Sequence, residues 1–277
     1  MQQQPETPPD LSEDDHDGLT FEIIEDEQTL EGKKVRRRGV YLLPNLITTA
    51  ALLSGFYAII ASSSGQFEKA ILAIGLAALF DGLDGRTARL LNAQSPFGEQ
   101  YDSLSDMLSF GVAPAMLVYH WTLAPLGRLG LACAFVYAAC AAFRLARFNV
   151  QIGSVDKRYF VGLPSPLAAI LLSSAIWFAL DWPRWISPND MLVTTLYGLL
   201  AAGTGLLMVS NLRYFSFKDL DRKRVPFYML IPVVLILSLV TYNFAVGLFG
   251  LSIVYGLSGF WLTWQHRHSQ RQGHLPS

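Results

Sequence analysis

Eight stretches of this chain are long and apolar enough for a helix to cross a membrane, at roughly 42–63, 67–91, 99–124, 128–149, 163–181, 190–211, 226–243 and 245–265. A crossing helix needs about 20 mostly apolar residues, and a chain in hydrocarbon must satisfy its backbone polar groups internally. The sequence therefore predicts an all-α integral membrane protein, a bundle of about eight transmembrane helices. Charge usage agrees, because only 16% of the 277 residues are charged, against roughly 25% in soluble domains.

An even number of crossings places both termini on one side. Of the 21 Lys and Arg residues, 18 fall on that side, leaving Lys69, Arg128 and Arg184 opposite. The positive-inside rule makes the first side cytoplasmic. The expectation is a multi-pass protein of the cell (inner) membrane with both termini in the cytoplasm. Trp residues in "DWPRWISP" and "HWTLAPLG" then sit at the outer boundary, where interfacial aromatics belong. Residues 1 to 32 hold 11 of the 22 acidic residues and no Lys or Arg. They read as a solvated, disordered tail, and no secretory signal is expected there. Cys133 and Cys140 lie seven residues apart in one apolar helix, about 10 Å along its axis, too far for a disulfide.

Against this background, "FDGLDGRTARLLNAQSPFGEQYDSLSDMLSF" stands out, because it puts four aspartates at the ends of the second and third helices. Asp81 and Asp84 are spaced i, i+3, and Asp102 and Asp106 i, i+4, so each pair shares a helix face. With the two helices antiparallel, four carboxylates converge. Like charges and loss of water both penalise such a cluster unless something compensates it. Hard divalent cations do so, and a pair of them is suited to attack at phosphorus. The plainer alternative is that the acids cap helix ends or pair with Arg86 and Arg89.

Written out, the stretch is Asp81-x2-Asp84-Gly85-x2-Ala88-Arg89-x8-Gly98-x3-Asp102-x3-Asp106, which resembles the CDP-alcohol phosphatidyltransferase signature at every fixed position. The resemblance implies a six-helix core around a dinuclear metal site holding Mg²⁺ or Mn²⁺, acting on a CDP-linked lipid with release of CMP. It implies metal ligation by Asp81, Asp84, Asp102 and Asp106, with Asp106 also the base toward the attacking hydroxyl. Gly85, Ala88 and Gly98 would leave room for the nucleotide, and Arg89 would stay near the site. Asn45 and Thr48, in the first helix, are further candidates for the CDP-lipid, although Asn45 can equally be a helix-start residue.

"LLPNLITTAALLSGFYAI", "CAAFRLARFNV", "FVGLPSP" and "VSNLRYFSFKDLD" resemble the bacterial members of this family that use serine. CDP-diacylglycerol and L-serine are the substrates this implies, with phosphatidylserine and CMP as products. Arg144 and Arg147 are placed to take the serine carboxylate as guanidinium forks do, with Asn149 beside them; the plainer reading is snorkelling to headgroups. Membrane lipids and a second copy in a homodimer are the other expected partners, and no nucleic acid is expected. The chain divides into an acidic cytoplasmic tail ending in a basic stop (1–38), a six-helix catalytic core (39–215), and two additional helices with a C-terminal tail (216–277). The same chemistry with glycerol 3-phosphate or an inositol compound is one alternative, and a cation transporter is another.

Overall fold

A computed structural model describes residues 42–91, 95–151, 159–215 and 243–272. Helix α1 (Leu42–Ser63) shows how the sequence is used. Its buried positions are small or polar, Thr48, Ala51, Gly55, Ala58 and Ser62 among them, spaced three or four apart along one stripe. Its exposed positions include Leu46, Leu53, Phe56 and Ile60. Large apolar side chains face outward and small ones let helices approach, the pattern of a bundle in lipid. Helix α2 (Phe67–Leu90) repeats it, burying Ala70, Ala73, Ile74 and Ala77 while exposing Leu72, Leu76 and Leu79.

The third helix, α3 (Pro96–Leu126), is the most buried of the long apolar helices and forms the axis of the bundle. It is followed by α4 (Arg128–Gln151), α5 (Ser165–Asp181), α6 (Met191–Val209) and α7 (Phe244–Gln272). Four of these helices, α1, α3, α4 and α6, are long and apolar enough to cross a membrane, and the protein is an integral membrane protein of the all-α class. Seven of the eight expected stretches coincide with helices α1 through α7, and four of those helices have the length and apolar character of a span. The one expected at 226–243 lies, apart from Asn243, outside the described residues, as does the tail at 1–38. Both cysteines are free, as their spacing requires.

Two local features position the site. Helix α3 widens into a π-turn over Met107–Val112, immediately after Asp106. Pro114 has no N–H to give the carbonyl of Phe110, and the hydroxyl of Tyr137 from α4 donates to that oxygen instead at 3.1 Å. The second feature is a short ribbon in which β1 (Tyr159–Val161) pairs antiparallel with β2 (Arg213–Phe215), Phe160 opposite Tyr214. The sequence did not suggest these strands, since three residues are too few to show alternation. The ribbon turns into α5 at Gly162, where φ is +84° and a Cβ would strike the carbonyl of Met208. Gly162 and Leu163 donate their N–H groups to Leu212 and Leu207 at 2.8 and 3.1 Å.

Candidate active site

Asp81 and Asp84 project from the last turns of α2, and Asp102 and Asp106 from the first turns of α3. The start of α3 is fixed by Ser95, whose hydroxyl accepts the N–H of Gly98 at 3.0 Å with Pro96 behind it, a strong helix-start arrangement. Ser105 and Ser109 pin the same helix to α1 by donating to the carbonyls of Thr48 and Ala51 at 3.3 and 3.2 Å. This brings Asp81, Asp102 and Asp106 together, one carboxylate oxygen from each lying within 4.8 Å of the others.

Asp84 stands beside these three. It is buried, and its Oδ2 accepts a hydrogen bond of 2.8 Å from Thr48 Oγ1. It remains within charge range of Asp81 and Asp102. Adjoining it is an open cleft of about 130 Å³, lined by Asn45, Thr48, Asp84, Gly85, Ala88, Gly98 and Asp102. Pro44, Ser95 and Glu99 also line it. A Cβ on Gly85 would meet nothing within 4 Å, while one on Gly98 would lie 3.2 Å from Ser95 Oγ and 3.5 Å from Asn45 Oδ1. Small residues therefore keep the cleft open. Arg89 does not line it; its Nε donates to the carbonyl of Gly85 at 2.9 Å.

The three acceptor candidates on α4 separate. Arg144 lies within charge range of Asp106 and Asp81 and donates through Nη1 to Ser165 Oγ at the start of α5. Arg147 turns away, donating to the carbonyl of Val209, the last residue of α6, at 3.4 Å and to Asn211 Oδ1, just beyond the helix, at 3.0 Å. Asn149 Nδ2 donates to Ser103 Oγ at 3.0 Å, and that hydroxyl donates to the carbonyl of Glu99. Sequence reasoning passed over Ser95, Glu99 and Ser165. Ser95 carried a signal, the Ser-Pro pair ahead of a helix; the other two are placed by tertiary packing.

The donor set at Asp81, Asp102 and Asp106 is carboxylate oxygen throughout, the kind that hard divalent cations select. Its spacing fits a bound cation, because three oxygens this close are compensated by a positive charge among them.

Carboxylates gathered at one end of a helical membrane bundle, beside a cleft kept open by glycines, define a membrane-embedded enzyme site. Residues 41–206, more than half of the chain, match the family described as CDP-alcohol phosphatidyltransferase, and the chain belongs to that family. It is 36% identical over 219 residues to a CDP-diacylglycerol–serine O-phosphatidyltransferase of Helicobacter pylori, covering 79% of this chain and 90% of the relative. Proteins of the same description from Bacillus subtilis (34% over 181 residues; 64% of this chain, 91% of the relative) and Mycobacterium leprae (35% over 187 residues; 64% and 59%) are also similar. The chain is therefore an enzyme that transfers a phosphatidyl group from a CDP-alcohol, which removes the transporter alternative.

Proposed function

We propose that the enzyme transfers the phosphatidyl group of CDP-diacylglycerol to the hydroxyl of L-serine, giving phosphatidylserine and CMP. The observation that carries this is the convergence of Asp81, Asp102 and Asp106 within 4.8 Å, with the Arg144 guanidinium in charge range. A cluster of acids alone would serve many ends; a fixed cation beside it suits an acceptor that brings both a hydroxyl and a carboxylate.

Asp81, Asp84, Asp102 and Asp106 are the residues that would hold two divalent ions, Mg²⁺ or Mn²⁺. When bound, such ions would offset negative charge on the pyrophosphate oxygens. The cleft between α1, α2 and the start of α3 receives the nucleotide, with Gly85, Ala88 and Gly98 leaving room and Asn45 and Thr48 offering polar contacts. Asp106 takes the proton from the serine hydroxyl as its oxygen attacks the phosphorus bearing diacylglycerol. The bond from that phosphorus to the bridging oxygen breaks, and CMP departs with the electron pair. An aspartate is a weak base, so its effect comes from being held within hydrogen-bond reach of the alcohol, which the π-turn and the Ser105 and Ser109 ties favour.

Arg144 receives the serine carboxylate in this reading. Arg147 and Asn149, expected in the same role, have partners on α6 and α3 that support a bracing function for the end of α4 instead. The two-copy assembly, the inner-membrane location with both termini cytoplasmic, and the division at 38 and 215 belong to the same proposal.

The test is CMP release by the purified full-length protein with CDP-diacylglycerol and Mn²⁺ or Mg²⁺. L-serine, glycerol 3-phosphate and inositol are supplied separately. Stimulation by serine alone is expected; stimulation by another alcohol would replace the acceptor and keep the site.

A further inference from the structure

Helix α4 runs back along α3, and two hydrogen bonds set its register there. Tyr137 donates to the carbonyl of Phe110 at 3.1 Å, and Asn149 Nδ2 donates to Ser103 Oγ at 3.0 Å. Arg144 lies between these ties on α4, as Asp106 lies between them on α3. It follows the fully buried Tyr137 by seven residues, two turns along the same helix face. Its half-buried side chain therefore leaves α4 on the face that meets α3, at the level of Asp106.

Among the described residues, the hydrogen-bond partner of this guanidinium is a neutral hydroxyl, since Nη1 donates to Ser165 Oγ. Ser165 is fully buried and opens α5, and its place is set from α6. Gly162 and Leu163, just ahead of it, donate their N–H groups to the carbonyls of Leu212 and Leu207. No Cβ fits between Gly162 and the Met208 carbonyl, so the chain enters α5 tight against the end of α6. Arg147 donates to Val209 and Asn211 of that same segment. The end of α4, the start of α5 and the end of α6 thus form one joint, with Arg144 and Ser165 inside it.

A guanidinium carries five N–H donors in a rigid fork. A hydroxyl occupies one of them and adds no negative charge, whereas a carboxylate at position 165 would take two and offset the cation. Ser165 therefore fixes the side chain while leaving its charge and most of its donors for a ligand. An arginine already placed surrenders less rotamer freedom on binding, and preorganisation of this kind raises affinity. We propose that Ser165 is a positioning residue for the acceptor: its buried hydroxyl holds Arg144 level with Asp106, where the carboxylate of the acceptor amino acid is received. The inference rests on the serine reading above.

The experiment follows CMP release with CDP-diacylglycerol and Mn²⁺ as L-serine is titrated, in full-length wild-type, Ser165→Ala, Ser165→Asp and Ser174→Ala proteins. In Ser165→Ala the serine KM is expected to rise about tenfold, as for one lost hydrogen bond to a charged group, with kcat and the donor KM within about twofold of wild type. Ser165→Asp sets a competing carboxylate against the guanidinium, and its serine KM should rise further. Ser174→Ala removes another buried hydroxyl of α5, one that donates to the carbonyl of Leu171. Its serine KM should stay at the wild-type value, which separates the effect from a general loosening of the helix. An unmoved serine KM in Ser165→Ala, equal changes in kcat and the donor KM, the same rise in Ser174→Ala, or a Ser165→Asp protein that takes serine better than Ser165→Ala would each overturn the inference while leaving serine as substrate. A wild-type protein that serine does not stimulate would overturn both readings together.

Discussion

Thr48 ties the carboxylate of Asp84 to the first helix. Its hydroxyl bonds Asp84 across the α1–α2 contact, so Thr48→Val would leave that buried carboxylate without its donor at nearly constant shape. About 1.4 kcal/mol lost there corresponds to a tenfold fall in kcat/KM for CDP-diacylglycerol, checked by donor titration at saturating acceptor. Gly98→Leu would fill the cleft beside Asn45 and Ser95, and donor binding should become undetectable in a direct binding assay. Arg144→Ala should raise the serine KM far more than Arg147→Ala, whose partners are Asn211 and Val209; the reverse order in a serine titration would contradict the placement. The aspartates were legible in sequence because spacings of three and four residues fix a shared helix face. Arg144 and Arg147 obey the same spacing, so the sequence treats them alike. What separates them is the rotation of α4 against α3 and α6, a property of packing that local periodicity does not encode.

Two elements set where those side chains point. The first is the start of α3, where Ser95→Ala would remove the cap on Gly98. The expected cost is about 1 kcal/mol, read as a lowered midpoint in thermal unfolding of the detergent-solubilised protein. The second is the π-turn after Asp106, an irregularity of a kind often found at functional sites. Tyr137→Phe would leave the Phe110 carbonyl without its donor, and a buried acceptor so orphaned costs about 1–3 kcal/mol. The same unfolding measurement should show it, and an unchanged midpoint would mean that the π-turn does not depend on this bond. Pro114 announced a break in the ladder of α3, but not that the helix would widen rather than kink. That choice depends on a tyrosine 23 positions later in the chain. The β1–β2 ribbon was illegible for a related reason: its strands are brought together by the ends of α4 and α6.

At the scale of the molecule, hydropathy located every helix the structure describes, because lipid allows few alternatives to a helix. The small-in, large-out pattern along α1 and α2 then orients each one. The sidedness read from Lys and Arg can be tested in a variant with Cys133 and Cys140 replaced by serine. Ser187→Cys, between α5 and α6, should react with a membrane-impermeant maleimide in intact cells, whereas Leu91→Cys, between α2 and α3, should not; the opposite labelling would invert the topology. In the proposed reading, phosphatidyl transfer takes place at the carboxylates brought together by α2 and α3. It is tested most directly by measuring serine-driven CMP release and CDP-diacylglycerol binding together in Asp106→Asn. Turnover is expected to fall by about 10²-fold or more, with donor affinity within a few-fold of wild type. Turnover near the wild-type rate would contradict it.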